Sequence, residues 1–337
     1  GAAPGAEDTA VFADPAAPND PRVTATATVG AMRLETPRQT FRVSTKCQLK
    51  VSGPVTGSGG IRMTGDNTGT WGDNGRLELH SVSNSFEGGV EITAGTVRFG
   101  NVAFPLGTSL GTGDILVNGG TFSFLPSEAS VNTSGAPQTP GTRSFSNLLK
   151  VGDSGGRAHQ NVGSGADNMA VVYGDIELGG PLTLASQGGG KSYGYTIDGT
   201  ITVLQDTSRS PGLSNETGHN GTDYVSGTIV DGAGGAGNAL RLGATARPLN
   251  MTGLGNTYAG GTILGGSGGA SVVFRPCTTL GTGNVMAETG ARTSIRNLTP
   301  LGQPGALSAS ATIHARSGAA VGSGCGQASV SGTRTTG

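Results

Sequence analysis

The chain is poor in the residues from which layered cores are made: of 337 residues, 34% are hydrophobic and only 4% aromatic. A conventional packed core would be hard to fill from that stock. Charge is also scarce, at 13% of residues, and 21 basic against 22 acidic side chains leave a formal charge of −1. Disordered chains usually combine high charge with few β-branched residues, whereas valine, isoleucine and threonine are plentiful here. With no basic surplus to release counterions from a phosphate backbone, the composition argues against nucleic acid as a partner. No apolar run approaches the roughly 18 residues that a membrane-spanning helix needs, so no membrane span is expected. The three cysteines, Cys47, Cys277 and Cys325, are too few for a disulfide framework and too scattered for a zinc site. The four histidines, His80, His159, His219 and His314, lack metal-ligand spacing and read as solvated loop residues.

Glycine is what the chain has in quantity, 63 residues of it. Almost every window long enough for a helix contains one, at about 1 kcal/mol per interior position, so strands must carry the fold. Short apolar i, i+2 pairs recur along the whole sequence: Leu77/Leu79, Val90/Ile92, Val97/Phe99, Ile115/Val117, Leu182/Leu184, Ile201/Val203, Leu240/Leu242 and Val272/Phe274 among them. Each pair is one face of a short strand. Gly-Gly, Asn-Gly and Asp-Gly turns separate them, where positive φ is tolerated.

Long-range self-similarity decides between hairpins and stacked coils. Asn84-Ser85-Phe86-Glu87-Gly88-Gly89 matches Asn256-Thr257-Tyr258-Ala259-Gly260-Gly261, and Leu110-Gly111-Thr112-Gly113-Asp114-Ile115 matches Leu280-Gly281-Thr282-Gly283-Asn284-Val285. The same ordered block occurs twice. Blocks of this length, each unable to bury its own apolar face, mark a solenoid. Phe86 and Tyr258 are expected to fill the coil interior at a corner, with Gly88-Gly89 and Gly260-Gly261 letting the backbone turn into the next strand. These six residues are the structural repeat positions.

The stretch running from Leu77-Glu78-Leu79 through Asn84-Ser85-Phe86, Gly88-Gly89-Val90-Glu91-Ile92 and Ala94-Gly95-Thr96-Val97 to Val117-Asn118-Gly119-Gly120-Thr121-Phe122 resembles the autotransporter-associated β-strand repeat. The likeness is clear over 76–124 and 226–285 and weaker elsewhere. It implies an all-β fold, a right-handed parallel β-helix (β-solenoid) forming a single elongated domain, in a secreted or cell-surface bacterial protein. The expected organisation is an N-terminal extended segment and first coil at 1–30, able to act as an assembly arm. A β-helix at 31–305 follows, with a repeat-breaking insertion around 126–175. A small-residue coil or assembly segment closes the chain at 306–337. No C-terminal run of alternating, aromatic-flanked strands suggests a membrane β-barrel within this sequence.

Motifs that suggest chemistry fare poorly. "ASQGGGKS" at 185–192 fits a phosphate-binding loop, but the following "YGYTIDGTITV" reads as strand rather than the helix such a loop needs. "GAGGAGNALRL" at 232–242 is similar to a calcium-binding coil but has Ala239 where aspartate is required. Glu87, Glu91, Arg98 and Asp114 lie close in sequence and read as scattered solvated charges, so no catalytic residue, cofactor site or metal site is named. Asn132, Asn215, Asn220, Asn250 and Asn297 sit in glycosylation sequons. The expected function is that of a non-enzymatic extracellular structural β-solenoid that self-associates head to tail into a fibre or surface layer, with Cys325 as an intersubunit thiol. The alternative is an adhesin passenger that binds glycans or cells. A polysaccharide-degrading β-helix enzyme stands third.

Overall fold

A computed structural model describes residues 4–13, 21–66, 74–81, 83–102, 110–126, 142–145, 147–161, 170–187, 194–204, 211–216, 223–233, 237–245, 247–253, 255–265, 271–274, 283–288, 292–296, 313–315 and 320–324. Among these there is no helix. The strands pair in parallel with strands one coil away, as in a β-solenoid. The chain divides into two compact units, residues 1–167 with 187–189, and residues 168–186 with 190–337.

In the first unit one sheet stacks Arg22–Val23, Gln39–Val43, Ile61–Thr64, Val90–Ala94, Ile115–Val117 and Leu149–Val151. A second stacks Ala27–Val29, Gln48–Val51, Arg76–Leu79, Thr96–Val102, Thr121–Pro126 and Gly156–Asn161. A short third sheet joins Thr9–Phe12, Ala31–Leu34 and Val55–Thr56. Because side chains alternate along a strand, every second residue points inward and meets its equivalent on the next rung. Leu49, Leu77, Val97 and Phe122 make one such apolar ladder, all buried. Phe99 and Phe122 meet edge to face at 5.4 Å between ring centroids. A coil one side chain deep is filled by such ladders, which is how so apolar-poor a chain can fold.

The second unit repeats the plan. One sheet stacks Ala170–Tyr173, Gly194–Ile197, Asp223–Val225, Leu249–Met251, Ser271–Phe274, Arg292–Arg296 and Ala320–Gly324. Another stacks Pro181–Gln187, Gly212–Asn215, Leu240–Gly243, Thr262–Gly265, Val285–Ala287 and Ile313–Ala315. Ile176–Leu178, Ile201–Val203 and Ile229–Asp231 form a further sheet. Within 126–175, the strands Leu149–Val151 and Gly156–Asn161 continue the ladders of Ile115–Val117 and Thr121–Pro126. Residues 127–141 and 162–169 of that stretch lie outside the described residues, as does most of 306–337.

Both repeated blocks form the same corner. Phe86 and Tyr258 are buried inside, as expected. Gly89 and Gly261 have φ of +73° and +88°, the left-handed region that favours glycine. A Cβ on Gly261 would lie 2.6 Å from the Asn284 carbonyl oxygen, which itself accepts the Thr262 N–H at 2.8 Å. The Asn that opens each block has a role that spacing did not reveal. The Asn84 Oδ1 accepts the Val55 N–H at 2.8 Å, and the Asn256 Oδ1 accepts the Ile229 N–H at 2.7 Å. Each asparagine thus satisfies a backbone donor of the preceding coil at a corner where the strand ladder breaks off.

Candidate functional site

The outward face of the second sheet of the first unit gathers charge that the sequence scatters. Glu78, Arg98, Ser123 and His159 fall in register on four successive rungs, with Lys50 on the rung before Glu78. The neighbouring column holds Arg76, Thr96, Thr121 and Arg157. The alternation that sends Leu77, Val97 and Phe122 inward sends these residues outward. An outward face normally leaves charge in water, yet Glu78, Arg98, Ser123 and His159 are only 5%, 5%, 0% and 3% exposed. Lys50, Arg76 and Arg157 are half-buried around them.

Arg98 Nη1 donates to Glu78 Oε1 at 3.0 Å, and the His80 ring nitrogen lies 3.2 Å from Glu78 Oε2. Burial pushes the Glu78 carboxyl up, but the His80 hydrogen bond and the Arg98 and Arg76 charges outweigh it, so the group stays below the ordinary carboxylate range. Burial pulls Arg98 down, Glu78 opposes that shift, and Arg76 adds to it. His159 is pulled down to about 3, first by burial and then by the Arg157 and Arg98 charges, so its imidazole is neutral at physiological pH. Its Nδ1 lies 3.5 Å from the Ser123 hydroxyl. A base so weak, at the outer limit of hydrogen-bond distance, is ill suited to activate a serine nucleophile.

This ladder corrects two expectations. The first concerns Glu87, Glu91, Arg98 and Asp114. Glu87 is exposed, but Arg98 and Glu91 are both buried, Glu91 with Arg38 Nη1 at 2.5 Å and Arg62 Nε at 3.6 Å. Asp114 pairs with Lys150 at 2.7 Å at the surface. The four do not form one group: Arg98 pairs with Glu78, Glu91 with Arg38 and Arg62, and Asp114 with Lys150, each a residue from another coil. The second concerns the histidines, since His159 is a buried strand residue and His80 flanks Glu78, rather than both lying on solvated loops. His219 lies outside the described residues.

Of the sequons, Asn215 and Asn250 are buried, and the Asn215 Nδ2 donates to Asp223 Oδ2 at 2.8 Å, so neither presents an accessible acceptor. Asn132, Asn220 and Asn297 lie outside the described residues. Strands Pro181–Gln187 and Gly194–Ile197 flank the glycine-rich 188–190 segment, so a strand follows it, as the sequence indicates. Gly88 and Gly260 occupy the tight corners beside Phe86 and Tyr258, each pressed against the backbone of the adjacent coil. Cys47 is a half-buried free thiol, while Cys277 and Cys325 lie outside the described residues. Among the described residues, no three His, Cys, Asp or Glu side chains group to hold a metal ion. Comparison of the chain with protein-family models, curated proteins and solved structures yields no significant match.

Proposed function

We propose that this chain is a non-enzymatic structural β-solenoid of the bacterial surface, of the autotransporter-repeat kind, which associates with further copies of itself through an exposed coil edge. One observation carries the reading. Strands Thr9–Phe12, Arg22–Val23 and Ala27–Val29 stand at the ends of their sheets, each with a described partner strand on one side only. Beside them Phe12, Val23, Ala27, Val29, Met32 and Phe41 line a cleft of about 830 Å³. Val11 is 54% exposed on the outermost strand. Open strand edges beside an apolar cleft are what another coil adds to, by main-chain hydrogen bonds and side-chain stacking together. The doubled corner block supports a role in which the coil itself is the working part.

Sedimentation velocity at tens of micromolar tests this. The native chain is expected to form concentration-dependent oligomers, and Val11→Lys, which places a charge on the open edge, is expected to return it to monomer. A native chain that sediments as monomer throughout that range overturns the proposal.

A further inference from the structure

Charge of one sign gathers at each end of the sequence. Residues 1–21 contain Glu7, Asp8, Asp14 and Asp20 and no Lys or Arg, whereas residues 289–337 contain Arg292, Arg296, Arg316 and Arg334 and no Asp or Glu. Residues 22–288 between them are balanced, with 17 bases against 18 acids. Glu7 and Asp8 are exposed and lead directly into the edge strand Thr9–Phe12. The Asp8 carboxylate accepts the Gly5 N–H at 2.7 Å, which holds it beside that strand. At the other end, register pairs Arg292 with Ala320 and Arg296 with Gly324 on the strand Ala320–Gly324. That strand and Ile313–Ala315 are the outermost described strands of their sheets, as Thr9–Phe12 and Ala27–Val29 are of theirs.

The order of strands within a coil matches these two edges. In the first unit a coil runs Thr9–Phe12, Arg22–Val23, Ala27–Val29, and in the second Ala170–Tyr173, Ile176–Leu178, Pro181–Gln187. Ala320–Gly324 belongs to the sheet of Ala170–Tyr173, so its counterpart is Thr9–Phe12; Ile313–Ala315 belongs to the sheet of Pro181–Gln187, so its counterpart is Ala27–Val29. Arg22, the cation on the first-unit edge, stands on the middle strand, whose sheet ends among the described residues at Ile229–Asp231 and brings no strand to the basic edge. If Thr9–Phe12 of one copy stacks as the next rung on Ala320–Gly324 of another, Asp8 comes within two strand spacings of Arg292, roughly 10 Å. That is about one Debye length at 0.1 M salt and well inside it at lower salt.

We propose that the acidic edge formed by Thr9–Phe12 and Ala27–Val29 takes, as its partner, the basic edge of a second copy formed by Ala320–Gly324 and Ile313–Ala315. Resting on the proposed self-association, this pairing adds which edge of the second copy is met. Unlike edges attract and keep the strands parallel, while two acidic or two basic edges repel, so copies add in one direction and the contact does not close on itself.

Sedimentation velocity of the full chain and its charge-reversed variants tests the pairing. Association of the native chain weakens by about fivefold or more between about 20 mM and 500 mM salt. At low salt the double variants Glu7→Lys with Asp8→Lys, and Arg292→Glu with Arg296→Glu, each lose association to a similar degree, their folding checked by circular dichroism. Mixing the two variants restores it, because each then offers the other an edge of opposite sign. Where a double variant fails to fold, Glu7→Lys alone replaces the first, and Arg316→Glu with Arg334→Glu the second. Undiminished association of the folded arginine variant, failure of the mixture to associate, or association indifferent to salt overturns the pairing of unlike edges and leaves self-association standing. A native chain that is monomeric at every salt concentration overturns both.

Discussion

Replacing Thr262 by valine should destabilise the protein, and replacing Tyr258 by phenylalanine in the same chain should restore it. The two corner blocks differ at a matched pair of positions, Phe86 with Val90 in one and Tyr258 with Thr262 in the other. In the second block the Tyr258 hydroxyl lies 2.5 Å from the Thr262 Oγ1, and both side chains are buried. Burial pushes the Tyr258 phenol up to about 12, with the Thr262 hydrogen bond partly opposing, so it stays a neutral hydroxyl that needs a partner. Thr262→Val removes that partner at nearly constant volume, and stranding a buried hydroxyl costs about 1–3 kcal/mol. Tyr258→Phe alone loses the same bond and should cost about 1 kcal/mol. The double variant recreates the Phe86/Val90 pair, and removing both partners of a hydrogen bond is close to neutral. Its stability should therefore lie within about 1 kcal/mol of the native chain, with a coupling energy above about 1 kcal/mol. Urea unfolding followed by far-ultraviolet circular dichroism at constant m measures all four corners of the cycle. Additive single effects, with coupling under about 0.5 kcal/mol, would refute the claim that the two blocks build one corner from interchangeable pairs.

Phe86→Ala should lower stability by about 3–5 kcal/mol by emptying a fully buried aromatic site, and an unchanged urea midpoint would place the ring outside the coil. Gly261→Ala and Gly255→Ala both force a left-handed residue, but a Cβ on Gly255 meets nothing within 4 Å whereas one on Gly261 meets the Asn284 carbonyl. The first should cost about 2–5 kcal/mol and the second about 1–2 kcal/mol, so equal losses would remove the close approach from the explanation. His159 has a folded pKa far below its unfolded value near 6.5, so the unfolded chain takes up a proton that the folded chain refuses. Its contribution is complete above about pH 6.5 and is lost as pH falls toward 3, at up to about 1.4 kcal/mol per pH unit. Glu78, also lowered, adds a loss below about pH 4.3. Unfolding between pH 7 and 4 should show this slope in the native chain and a much shallower one in His159→Asn; identical slopes would contradict the burial of the imidazole.

The period-two pairs and the doubled Asn-aromatic-Gly-Gly block made the coil readable, because each uses one local rule: alternation along a strand and positive φ at a corner. Phe86, Tyr258, Gly89 and Gly261 all play the parts that those rules assign. The role of Asn84 and Asn256 was hidden, since their acceptor oxygens serve backbone donors 29 and 27 residues away. The charged ladder was hidden for a related reason. Its members Lys50, Glu78, Arg98, Ser123 and His159 are 28, 20, 25 and 36 residues apart, and no fixed period lines them up. Coil length varies because corner loops differ in size, so register is set by which strands stack and not by counting. That is why Arg98 was grouped with sequence neighbours on other strands, and His159 with the loop residues.

Rung-to-rung parallel stacking underlies the coil, and scalar couplings across backbone hydrogen bonds, measured by NMR on the deuterated protein, test it most directly. The Thr96 N–H should couple to the Gly75 carbonyl, the Thr121 N–H to that of Gly95, and the Val90 N–H to that of Asp114, each a bond of 2.9 Å from one coil to its neighbour. Couplings from these donors to residues a few positions away, in the paired pattern of antiparallel hairpins, would contradict the stacking and with it the ladder built upon it.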